Sequence, residues 1–255
     1  MNQLTKKEIP LLYESYRIVP ATKDKSVDKD LAWLVNNLCK AINCERPDAY
    51  LVHDSVAFCI EHSRISIYKH NDKGDIKQAS SNRLCIRDNT GSLKSDFDCI
   101  FEPSLSNLIL SLAEALSNHM RHSNEYKENV KSILSLDNQD YQYRLILLLE
   151  DQSISASYIN NESTIPINPL LLDSVANELL KYRPALWGVI YLGGDVKTKT
   201  IYAYTLDEIM EKKEMGELLK SKDYRTLIDD ESIHISEDDF KKDVHTVTIR
   251  LTDHS

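Results

Sequence analysis

Leu31, Leu34, Val35, Leu38 and Ile42 follow one another at helical intervals and line a single stripe, which predicts an amphipathic helix over residues 28–43. Asp28 or Ser26 can cap its start. After Pro47-Asp48 come two short β-rich runs, residues 49–53 and 56–61, joined by His53-Asp54-Ser55 as a hairpin. Ile65 and Ile67 alternate with polar neighbours and extend the strand character until Lys73-Gly74 breaks it. Helical spacing returns at Leu105, Leu108, Ile109, Leu112 and Leu116, and again at Tyr126, Val130, Ile133 and Leu134. The polar residues 117–125 mark a break between two helices.

Residues 144–149 are a nearly unbroken apolar run, as expected of a strand covered on both faces. Asn168-Pro169 places a capping residue before a proline and predicts a helix to about Tyr182, with Pro184 beyond its end. Residues 186–192 read as a second buried strand, Gly193-Gly194-Asp195 as a turn, and residues 200–204 as an antiparallel return. Thr205 and Glu208 have capping-box spacing at the head of another helix. Beyond Lys220 the chain is rich in charge until residues 244–251, which alternate like a half-exposed edge strand. The order of elements predicts an α/β fold with a mixed central β-sheet flanked by helices. The core is placed in residues 1–205 and an acidic C-terminal extension in residues 206–255.

Charge sharpens that division. The net charge is −9, and residues 206–255 hold 14 acidic against 8 basic side chains, so −6 of it lies there. Such a balance argues against gripping bare nucleic acid by electrostatics alone and points to a partner subunit or a pre-bound substrate. Residues 69–94 run the other way: Lys69, Lys73, Lys77, Arg83, Arg87 and Lys94 face only Asp72, Asp75 and Asp88. That strip is a candidate for meeting phosphate, or an ordinary solvated loop. No window holds the roughly 20 apolar residues of a membrane span, and the N-terminus lacks the apolar region of a signal peptide, so a cytoplasmic location is expected. Five cysteines (Cys39, Cys44, Cys59, Cys85, Cys99) without a CxxC pair predict reduced thiols rather than a zinc site.

The candidate chemistry lies in the hairpin. Asp48 precedes its first strand and Glu61 ends the second, so the two carboxylates come side by side and can converge on one hard cation. Mg²⁺, or Mn²⁺ in its place, takes oxygen ligands and keeps several waters, so two carboxylates and a substrate phosphate make a site for phosphodiester hydrolysis. Pro47-Asp48, thirteen positions, then Glu61 after the apolar residues 56–60 resembles the PD-(D/E)XK nuclease superfamily. The preceding helix and the later helix–strand order suit that family's core, and the likeness of pattern spans residues 28–192.

The resemblance implies a restriction-endonuclease-like core, Asp48 and Glu61 as metal ligands, and DNA, ahead of RNA, as substrate. The family motif then asks for a lysine two residues after the glutamate, where this chain has Ser63. His62, or Lys69 or Lys77 folding back, are the candidates to assist, although in a regular strand His62 points to the face opposite Glu61. Ile60-Glu61-His62 is also similar to a group of bacterial proteins associated with phage defence, which carry Glu-His in place of Glu-X-Lys. Two readings follow: a metal-dependent nuclease of antiviral type, or an inactive nuclease-fold subunit that binds a protein or nucleic-acid partner, either one with a protein partner or as a homo-oligomer.

Other groups carry weaker signals. Glu150 and Asp151 end an apolar strand and read as an exposed strand end, while His119 and His122, three apart on a helix, read as a solvated face. Gly193-Gly194 lacks the further glycines of a dinucleotide-binding turn.

Overall fold

The computed structural model describes residues 9–10, 12–13, 21–24, 28–65, 105–135, 139–151, 156–160, 167–194 and 199–228. The hairpin forms as expected and is longer than its apolar run. Strand β3 (Ala49–His53) pairs antiparallel with β4 (Val56–Ile65) across the turn at Asp54-Ser55. Asp54 has φ +50°, a left-handed conformation that aspartate tolerates better than branched residues do. Parallel to β4 lies β5 (Gln142–Asp151), and parallel to β5 lies β7 (Gly188–Gly194). Strand β8 (Lys199–Thr205) returns antiparallel to β7, as the sequence predicts, and its outer edge carries β1 (Ala21–Asp24). Strand β2 (Ile42–Asn43) pairs with β3, giving, among the described residues, a seven-stranded mixed sheet in the order β1-β8-β7-β5-β4-β3-β2.

Strand alternation sends the side chains of this sheet into two cores. On one face Ala57 and Cys59 of β4, Leu145, Leu147 and Leu149 of β5, and Val189 and Tyr191 of β7 meet four helices. These are α2 (Leu105–Met120), α3 (Ser123–Leu134), α4 (Asp173–Leu180) and α5 (Leu206–Glu214). On the other face Phe58, Ile60, Ile146, Leu148 and Ile190 meet α1 (Lys29–Asn37) together with Ile9 and Tyr13. Covering on both faces explains why the sequence of β5 is continuously apolar rather than alternating. Full burial of each such leucine or isoleucine stabilises the fold by about 1.5–3 kcal/mol relative to exposure.

Three boundaries differ from the sequence reading. The first helix ends at Asn37 rather than near residue 43; a 3-10 turn (Leu38–Lys40) follows, and Ile42 lies 53% exposed in β2. Asn37 leaves helical backbone geometry at φ −119° and ψ 9°, and its side chain donates back to the carbonyl oxygen of Trp33. Asparagine competes with helix continuation in this way. Asn168 caps a short 3-10 turn (Pro169–Leu171), and α4 itself begins four residues later. Gly193 and Gly194 belong to β7.

Caps elsewhere match the residues that suggested them. Asp28 accepts from the backbone N–H groups of Asp30 and Leu31, and Thr205 with Glu208 forms a reciprocal capping box. The helix so capped, α5, was assigned by the sequence to the C-terminal extension, yet Leu206 and Ile209 are buried in the core. Further along, Leu219 bridges to Leu172, and β9 (Tyr224–Ile228) pairs with β6 (Ala156–Asn160) in a separate two-stranded sheet. The strand expected over residues 244–251, the basic strip over 69–94, Cys85 and Cys99 lie outside the described residues. Among the described residues no helix is long and apolar enough to cross a membrane.

Candidate active site

The register of one hairpin builds the site. Ala49 lies opposite Ile60, so one step beyond the ladder brings Asp48 opposite Glu61. The two-residue turn and the thirteen-residue spacing are therefore the same geometric fact. The strands are strapped at this end by their own carboxylates. The Asp48 N–H donates to Glu61 Oε2 at 3.2 Å, and the His62 N–H donates to Asp48 Oδ2 at 2.8 Å. No described residue donates to Asp48 Oδ1.

Glu61 is an unusual residue for this position because it is only 8% exposed. An ionised carboxylate in such surroundings needs donors, and Glu61 has them. Its Oε1 accepts from His119 Nδ1 at 2.9 Å and from the Tyr126 hydroxyl at 3.2 Å. Because a carboxylate offers only acceptors, His119 carries a proton on Nδ1 in this contact. Asp48, by contrast, is exposed. The shielding of its carboxyl by the surrounding chain, and then the neighbouring Glu61 charge, hold it above the ordinary carboxylate range; the His62 N–H pulls in the opposite direction. The same surroundings raise Cys44 to about 11, through burial first and then Asp48 and Glu61. Its thiol donates to the Pro47 carbonyl oxygen at 2.9 Å and stays protonated near neutral pH, which makes it a poor nucleophile. Tyr126 is also raised, by burial and then by Glu61.

Of the residues suggested by the sequence, Asp48 and Glu61 are brought together, on the face covered by α2 and α3. His62 is not. Its imidazole lies on the α1 face, where Nε2 is 3.0 Å from Glu150 Oε2, and only its backbone reaches Asp48. Arg64 joins the same oxygen from its Nε at 3.2 Å. Burial acts to raise Glu150, but the His62 hydrogen bond and charge and then Arg64 outweigh it and hold that carboxyl below its ordinary range. Neither Glu150 nor Asp151 is an exposed strand end: Asp151 is buried and accepts from the Tyr191 hydroxyl at 2.6 Å. Ser63 lies two residues after Glu61 in β4, and Lys69 and Lys77 lie outside the described residues.

His119 and Tyr126 are the residues that the sequence reading left out of the site. Treating His119 and His122 as one solvated pair hid their difference. His122 is exposed and bound to Glu125 at 2.9 Å, whereas His119 faces Glu61. The usable signal is the apolar stripe of α2. Leu108, Leu112, Ala115 and Leu116 are buried, and position 119 continues that stripe at three and four residues on. Tyr126 likewise shares a stripe with Val130 and Leu134.

The donors suit a hard cation. The repulsion between two adjacent carboxylates is relieved by a divalent ion. Mg²⁺ and Mn²⁺ need only one or two protein carboxylates when water and substrate phosphate complete the shell. Among the described residues no group of three or more His, Cys, Asp and Glu side chains is arranged to hold a metal by itself. A cleft of about 440 Å³ lies elsewhere, lined by Lys127, Arg144, Arg183 and Trp187, and includes none of Asp48, Glu61 or His119. No protein-family model matches the chain, and neither a curated protein nor a solved structure matches it.

Proposed function

We propose that the chain is a divalent-metal-dependent nuclease that hydrolyses phosphodiester bonds, of DNA before RNA, with Asp48 and Glu61 holding Mg²⁺ or Mn²⁺. The observation that carries this reading is the pairing of an exposed carboxylate with a buried one at the end of a single hairpin. Such a pair is electrostatically unfavourable alone and favourable around a cation. Its residues are those on which the resemblance to PD-(D/E)XK nucleases rests, and Glu61-His62 links the proposal to the defence-associated proteins of similar sequence. When bound, the cation supplies positive charge to the phosphate and lowers the pKa of coordinated water. The chain's own part is to hold Glu61 oriented, through Asp48 N–H, His119 and Tyr126, and to leave Asp48 open to solvent.

A second reading, a nuclease-fold subunit without activity, is favoured by one observation: the motif lysine is replaced by Ser63, and His62 is turned towards Glu150. The test is cleavage of single- and double-stranded DNA and of RNA with Mn²⁺ or Mg²⁺, by wild type, Asp48→Asn and Glu61→Gln. Both substitutions keep an acceptor oxygen, and each is expected to lower cleavage at least ~100-fold, a loss of about 2.7 kcal/mol in transition-state stabilisation. Undiminished cleavage by both variants would refute the assignment. Metal binding that needs both carboxylates, without cleavage of any substrate, would favour the inactive subunit.

A further inference from the structure

We infer that His119 and Tyr126 are the positioning residues of the proposed cation site: from helices α2 and α3 each sets a hydrogen-bond donor against Glu61. The inference rests on the metal-site reading above and extends it to residues outside the motif. Three observations carry it. His119 Nδ1 and the Tyr126 hydroxyl converge on the same oxygen, Glu61 Oε1, at 2.9 and 3.2 Å. The other oxygen, Oε2, accepts from the Asp48 backbone, so both ends of the carboxylate are fixed. The donors also come from different elements, one at the last turn of α2 and one in α3, which makes the carboxylate the point where both helices are tied to the sheet.

This arrangement has a physical purpose that simple burial does not require. An apolar residue at a buried strand position needs no donors, whereas Glu61 is buried and draws three, the Asp48 N–H, His119 and Tyr126. Together they hold the carboxyl group in one orientation. A carboxylate that must meet a cation gains from being held in that way, because hydrogen bonds to a metal-binding group fix its direction and tune its basicity. Oε1 has both lone-pair directions taken, by His119 and Tyr126, while Oε2 accepts only from the Asp48 N–H and retains one for a metal. His119 at 23% side-chain exposure lies at the margin of the site, between the buried Glu61 and solvent.

The experiment measures Mn²⁺ affinity by calorimetry on the full chain, alongside thermal melting, for wild type, His119→Ala, His119→Asn and Tyr126→Phe. Asparagine places an amide N–H close to the position of Nδ1 but has nothing equivalent to Nε2. The expected result is a 10–100-fold weaker affinity for His119→Ala, recovery to within about threefold for His119→Asn, and a smaller loss for Tyr126→Phe. A merely structural role would lower the melting temperature of the alanine variant and leave its Mn²⁺ affinity at the wild-type value, which would overturn the inference. So would an asparagine variant as weak as the alanine one, since the donated hydrogen bond would then not be the operative feature. Should His119→Ala fail to fold, the asparagine and phenylalanine variants decide by the same affinity criterion. Failure of the underlying metal site has a different signature: wild type itself would bind no Mn²⁺, or would bind it equally well after Asp48→Asn.

Discussion

Glu61 and His62 are neighbours in sequence, and the sheet separates them completely. Glu61 points to the face of α2 and α3 and meets a second carboxylate; His62 points to the face of α1 and meets Glu150 together with Arg64. One cluster gathers like charges and the other neutralises itself. Asp48 is held above the ordinary carboxylate range, by the shielding of its carboxyl first and the Glu61 charge second, and Glu150 is held below it. A cluster in which an arginine meets a carboxylate reads as structural, whereas the like-charge pair is the feature on which the proposed cation site rests. That difference assigns the candidate site to one face of the strand. It also leaves the His62 imidazole, for all its proximity in sequence, in a hydrogen bond to Glu150.

The largest effect that tests this contrast is on stability, from Glu61→Leu. The substitution leaves the Asp48 N–H, His119 and Tyr126 without their acceptor, with Tyr126 itself buried. Stranded donors of this kind cost about 3 kcal/mol in all, which corresponds to a fall of about 6–12 °C in melting temperature. Glu150→Leu on the opposite face should cost less, about 1–2 kcal/mol, because Arg64 is 43% exposed and regains water. Melting curves of the two variants check the order; a larger loss at Glu150 would invert the assignment of the two clusters.

How far the sequence reveals this site depends on which residues are local. The Asp48–Glu61 pair was legible because a hairpin fixes its own register: the apolar runs and the turn between them place the two ends side by side. The capping residues Asp28 and Thr205 were legible for the same reason, since each acts within one helical turn. His119 and Tyr126 were not, because their contact with Glu61 spans 58 and 65 residues and depends on how two helices pack on the sheet. Glu150 was misjudged through the same gap: its partners sit on a strand 86 and 88 residues away. Parallel pairing of β4 with β5 brings them together, and no local pattern specifies that register.

Acid titration separates the clusters by sign. Glu150 has a lowered folded-state pKa, so the unfolded chain binds its proton first; its stabilisation is present above the ordinary value of about 4.3 and is lost as pH falls through the lowered one. Asp48 has a raised folded-state pKa, so the folded chain holds its proton longer; stability falls as pH rises from about 3.9 through the raised value. Denaturant titrations between pH 3 and 6 should therefore show a shallower acid loss for Glu150→Gln than for wild type. Asp48→Asn should show a steeper one, since the opposing slope is gone. Identical slopes for both variants would mean that neither environment differs from that of an ordinary surface carboxyl.

The smallest expected change, and the most discriminating, is the melting temperature of Asp48→Asn without metal. The amide oxygen can still accept from the His62 N–H, so the strap between the strands survives, while the repulsion from Glu61 is removed. Near neutral pH the variant should melt within about 1 °C of wild type or slightly above it, corresponding to a few tenths of a kcal/mol. Added Mn²⁺ then separates the two proteins. A ligand that binds only the folded state stabilises it by RT ln(1 + [L]/Kd), about 2.7 kcal/mol at a hundred times Kd, so wild type should gain several degrees. The asparagine variant should gain far less, because a neutral amide replaces one of the two anionic ligands. An Asp48→Asn protein that melts several degrees lower than wild type in the absence of metal, and rises with Mn²⁺ as wild type does, would show that Asp48 is a turn residue valued for its local hydrogen bonds. The like-charge pair would then have no ligand to explain it.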